Sequence, residues 1–161
     1  MKSCCFKGHR DIEDKEKLLI KTTEVVQSLI EQGVKIFYFG SKSSFNSLCL
    51  NVVTDLKATY PDIKLVYARS MYSYVNEFYK NYLLEIYDDT FMPQGVENAG
   101  RASYVKRNQA IIDASDYCVF YYNQNYLPPK KERANGTLVY QRKSGTRIAY
   151  EYAKKKNKLL T

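Results

Sequence analysis

The sequence predicts an α/β domain, a three-layer sandwich in which helices cover both faces of a mostly parallel sheet. Three observations predict it. Short apolar runs end in glycine or a polar turn, the stretches between them repeat apolar residues at helical spacing, and the two kinds of segment alternate along the chain. At 161 residues the chain can bury a substantial single core, and no linker or internal repeat divides it, so residues 1–161 are read as one domain.

The first run, KSCCF (2–6), reads as a buried strand followed by a Gly8-His9-Arg10 loop. From Ile12 to Gln32 the residues Leu18, Leu19, Thr22, Val25, Val26, Leu29 and Ile30 keep a helical period, and Gly33 supplies the stop. KIFYF (35–39) is a second strand ending at Gly40, and residues 44–59 form a helix with Phe45, Leu48, Cys49, Val52, Val53 and Leu56 on one face. IKLVYA (63–68) is the third strand. The tyrosine-rich residues 71–87 fit either a helix or a loop, and DTFMP (89–93) holds a short strand. Residues 100–114 read as a helix and DYCVFYY (116–122) as a strand. Residues 123–143 form a long excursion marked by Pro128, Pro129 and the turn signal Asn135-Gly136. A final helix starts at Ser144 or Gly145 and runs to about Lys156, and Lys158 to Leu160 add an edge strand.

Composition narrows the function classes. Hydrophobic residues make up 45% of the chain, too many for a disordered segment. No apolar run approaches the roughly 18 residues a membrane span needs. Lys2 and Lys7 flank too few apolar residues for a signal peptide, so a soluble, cytoplasmic protein without a membrane partner is expected. Cys4, Cys5, Cys49 and Cys118 have no metal-ligand spacing and the chain has one histidine, so neither a metal nor a cofactor is expected. The net charge of +8 favours an anionic partner, and sixteen tyrosines could stack on bases or pack the core. Lys154, Lys155, Lys156 and Lys158 read as a solvated helix end, where positive charge suits the negative pole.

In a parallel sheet of this kind ligands bind outside the carboxyl ends of the strands. KSGT (143–146) places small residues and hydroxyls at a helix start, where backbone N–H groups can approach a phosphate, although Ser and Thr are also ordinary caps. Gly8-His9-Arg10 leaves the first strand and could form a second anion loop. Arg107 and Asn108 sit among apolar helix positions and are hard to explain as packing.

CCFKGHR, FYFG, ENAGRASYVKRNQAIIDASDYCVFYY and KSGTRIAYEYA occur in that order over nearly the whole chain. Together they resemble the SLOG superfamily, the Rossmann-like group named for the Smf/DprA and lonely-guy proteins, and in particular its small single-domain bacterial and phage members with a C-F-x-G-H-R start. The resemblance implies a Rossmann-like fold with a nucleotide-derived ligand at the strand ends. Carried over by motif, the ligand-binding residues are Gly8, His9, Arg10, Gly40, Ser41, Arg107, Asn108, Ser144, Gly145 and Thr146. Relatives often read F-G-G-x-G-x-F-D where this chain reads FGSKSSFN, so Ser41 and Ser43 replace glycines and Asn46 replaces the acid. Lonely-guy enzymes carry an acid three residues after the threonine of P-G-G-x-G-T-x-x-E. Here that position is Ala149, and Glu151 lies roughly 200° around the helix from it.

The leading expectation is therefore a binder of an ADP-ribose-like or cyclic-nucleotide signal, acting as a sponge or sensor in immune signalling and expected to be a homo-oligomer. The alternatives are an N-glycosidase-type nucleotide hydrolase, for which Glu97 is the spare carboxylate, and a single-stranded nucleic-acid binder.

Overall fold

A computed structural model describes residues 1–40, 43–70, 77–96, 102–123, 131–132, 138–139, 145–156 and 159–160. Strands and helices alternate as β1 (Lys2–Gly8), α1 (Lys15–Glu31), β2 (Val34–Phe39), α2 (Ser44–Lys57), β3 (Lys64–Ala68), α3 (Glu77–Leu84) and β4 (Asp89–Phe91). There follow α4 (Ser103–Ala114), β5 (Tyr117–Tyr121), β6 (Lys131–Glu132), β7 (Leu138–Val139), α5 (Gly145–Lys155) and β8 (Leu159–Leu160). Six strands form one sheet in the order β4-β3-β2-β1-β5-β8, and every neighbouring pair runs parallel. This is the α/β sandwich that the alternation predicts.

Because successive strand residues face opposite ways, β1 feeds two cores. Cys4 and Phe6 pack with Val26, Leu29, Val52 and Val53 of α1 and α2, and with Leu83 of α3. Phe6 stacks between Phe37 and Phe39 of β2, with ring centroids 5.9 and 5.4 Å away. Each such ring, fully buried, contributes about 1.5–3 kcal/mol relative to exposure. On the other face Cys5 packs with Cys118, Ile111 and Ile112 of α4, and Ala149 and Ala153 of α5. All four cysteines are buried and none is joined in a disulfide, with Cys5 Sγ 3.4 Å from Cys118 Sγ.

Several boundaries differ from the sequence reading for local reasons. β1 runs on through Gly8, because Lys7 and Gly8 pair with Phe120 and Tyr121 of β5, so only His9 and Arg10 of the predicted loop leave the strand. α1 begins at Lys15 rather than Ile12, since Asp14 takes a left-handed φ of 48°. Gly33 does stop the turn after α1, with φ of 100° that favours glycine. Within 71–87, residues 77–84 are helical and 71–76 lie outside the described residues. Within 123–143, β6 and β7 pair as a short antiparallel ladder, while Pro128, Pro129 and Asn135-Gly136 lie outside the described residues. Among the described residues no helix is long and apolar enough to cross a membrane.

Candidate anion site at the carboxyl edge of the sheet

Strand order reverses between β1 and β5: β2, β3 and β4 lie to one side of β1, and β5 and β8 to the other. In an open parallel sheet the crevice at such a reversal is where ligands bind. α4 enters from this edge, because it follows β4 and leads into β5.

Two cations are buried here. Lys7 is 4% exposed and Arg107 is 5% exposed. Lys7 Nζ donates to Asn108 Oδ1 at 2.7 Å, and Arg107 Nη2 reaches the same oxygen at 3.4 Å. The Arg107 guanidinium lies 5.2 Å from the ring centroid of Tyr104. Its Nε is buried and has no hydrogen-bond acceptor among the described residues. Among the described residues neither cation has a carboxylate in ion-pair range. Burial pushes the Lys7 amine down to about 7, and the neighbouring Arg107 charge adds to the fall. Burial also lowers Arg107, while the phenols of Tyr67, Tyr104 and Tyr79 act to keep it charged. A buried cation without a counter-charge is strongly unfavourable, and a bound anion removes that penalty.

The backbone is arranged to match. Ser103, one turn before Arg107, is 1% exposed, and its Oγ has no partner among the described residues. It opens α4, whose N-cap, Ala102, makes no side-chain cap. The N-cap residue thus offers no side-chain acceptor to the first turn of that helix, the pole that attracts negative charge. A Cβ built on Gly40 would lie 2.7 Å from Ile111 Cδ1, 3.2 Å from Arg107 Nε and 3.3 Å from the Ala68 carbonyl. Glycine at this position is what lets α4 lie across the end of β2 and aim Arg107 into the edge. Arg69, just past β3, also has a buried Nε without an acceptor among the described residues.

The other expected site residues take different places. Gly8 meets Phe45: a Cβ there would fall 2.3 Å from the ring, so this glycine serves packing. His9 is buried, its Nε2 accepts the Asn123 N–H at 2.8 Å, and its own N–H donates to the Tyr121 carbonyl. It therefore ties the segment after β1 to the segment after β5, and burial holds its pKa below the ordinary imidazole value. Arg10 is exposed, and its carbonyl accepts the Ser44 N–H at 3.1 Å. Ser43 caps α2 by accepting the Asn46 N–H at 3.1 Å, so the segment after Gly40 ends as a helix cap. The Asn46 side chain is buried with Oδ1 unpartnered among the described residues.

Gly145 opens α5 with nothing within 4 Å of a built Cβ, so no close approach demands glycine there, and Thr146 is half-buried. Ala149 is buried, whereas Glu151 is exposed and pairs with Arg147 at 3.1 Å, as the angular separation predicts. Ser41, Glu97 and Ser144 lie outside the described residues. The structure thus brings Gly40, Arg107 and Asn108 together with Lys7, which the motif reading passed over. The signal for Lys7 was present: it is a lone lysine between Phe6 and Gly8 in a strand with both faces covered.

A comparison with protein-family models finds no match, and no curated protein matches the chain.

Proposed function

We propose that the chain is a binding protein for a nucleotide-derived, phosphate-bearing small molecule, held at the carboxyl edge of the sheet by Lys7, Arg107 and the start of α4. The observation that carries this reading is the pair of buried cations without a counter-charge among the described residues, one with an unused Nε donor. The nucleotide character rests on the motif resemblance to the SLOG superfamily, and ADP-ribose-like or cyclic-nucleotide signals are its natural candidates. A sponge or sensor role follows if the ligand is held intact.

The test is mass spectrometry of small molecules released from the purified, heat-denatured protein, followed by calorimetry with the nucleotides so identified. An intact nucleotide is expected, and Arg107→Ala should weaken its binding by about tenfold or more, the loss of one charge-assisted contact. Multiple turnovers on any member of a nucleotide panel would replace the binding reading with a hydrolytic one. Unchanged affinity in Arg107→Ala would move the site elsewhere.

A further inference from the structure

From the geometry of the basic cluster we infer that this subsite takes a phosphate group carrying two negative charges, either a terminal phosphate monoester or a pyrophosphate, in preference to a single phosphodiester. The inference rests on the binding function proposed above and narrows its ligand class. Lys7 and Arg107 converge on one oxygen, Asn108 Oδ1, so a single compact group can reach both. Asn108 supplies a neutral dipole, and no carboxylate pairs with either cation among the described residues. A singly charged diester would balance Arg107 alone, whereas two negative charges can also hold the Lys7 amine in its protonated form. A monoester carries about −1.5 to −2 at neutral pH, and a pyrophosphate linkage carries one charge on each phosphorus, so either balances the pair. Ser103 Oγ and the uncapped N–H groups of α4 add donors one turn away.

The lowered basicity of Lys7 gives this subsite a second signature. At pH 8 the free amine is mostly neutral, and the groups facing it are Arg107 and Asn108 of α4, Cys5 of its own strand and Cys118 of β5. None of these supplies a negative charge while the thiols stay protonated. A dianion restores the amine's basicity, so binding takes up a proton.

Three base-free probes test this by calorimetry: methyl phosphate, symmetrical dimethyl pyrophosphate and dimethyl phosphate. At least one of the first two should bind about tenfold or more tightly than dimethyl phosphate, and the tighter of the two assigns the source of the double charge. Measured at pH 8 in two buffers of different ionisation enthalpy, that binding should show proton uptake. In Lys7→Met the preference over dimethyl phosphate and the proton uptake should both disappear; if this variant does not fold, the wild-type comparison decides alone. Equal affinity for all three probes overturns the inference and leaves the anion site standing. No binding of any probe overturns it too, and the binding function falls with it only if the nucleotide panel is also silent.

Discussion

Lys7 is where burial, charge and function meet most directly. Its ordinary value is 10.5, and in the fold it lies near 7. Between those values the unfolded chain holds a proton that the folded chain has released, so stability rises with pH across that window. The penalty for burying this amine is fully present below about pH 7. Above pH 9 the buried thiols Cys4 and Cys49, whose pKa values are raised by burial, act the other way, because they ionise only in the unfolded chain. Thermal melts without ligand should therefore climb from pH 7 to 9, and Lys7→Met should flatten that climb. A flat wild-type profile would mean that the amine is not desolvated. Gly8 permits a second prediction. Gly8→Ala forces a methyl into the Phe45 ring and should cost about 1–3 kcal/mol in a denaturant melt, with part of it recovered by also making Phe45→Leu. The glycine was legible as special from its place after an apolar run. That its partner is a phenylalanine rather than a phosphate was not, because the contact joins residues 37 positions apart in sequence (45 − 8).

Helix and strand identity was legible wherever the apolar period was long. α1, α2 and α4 were found from their buried stripes, and even the two-residue β8 was expected at 158–160. What was not legible is where a strand stops when its last residues are polar. Lys7 extends β1 only because β5 lies alongside to pair with it, a partner 113 residues away (120 − 7). Likewise Arg107 reads from sequence as a ligand-binding candidate, but its burial does not, because it depends on the space that the missing Cβ of Gly40 leaves beside Arg107 Nε. α5 leads into β8, which runs parallel to β5, and so begins on the same sheet edge as α4. Thr146→Glu, which sets a carboxylate at that start, should leave phosphate-probe affinity unchanged within about twofold in calorimetry, because Lys7, Arg107 and the start of α4 hold the anion. Lost affinity, with far-ultraviolet circular dichroism unchanged, would bring the α5 start into the crevice.

The net charge of +8 is spread unevenly between a solvated helix end and the sheet edge. Lys154, Lys155 and Lys156 are exposed on the last turns of α5, and the Lys156 ammonium lies 5.6 Å from the Tyr152 ring centroid. Replacing Lys154 and Lys155 with Ala should leave small-ligand affinity unchanged within about twofold, since charges on open surface are screened by salt within about 10 Å. If that pair matters as much as Arg107, and if oligonucleotide binding falls steeply with salt, the basic surface itself is the functional element.

The central place of β1 has a further consequence during translation. β1 lies between β2 and β5, yet β5 begins 115 residues after β1 (117 − 2). Until residue 121 has left the ribosome, one edge of the buried strand β1 has no neighbour, and nascent chains carrying residues 1–96 present an open ladder to chaperones and to one another. A fragment ending at Val96 should accordingly aggregate when expressed alone and stay in solution when residues 102–161 are supplied on the same chain. The protein completes its middle last, so its synthesis is most exposed while the binding edge is still half built.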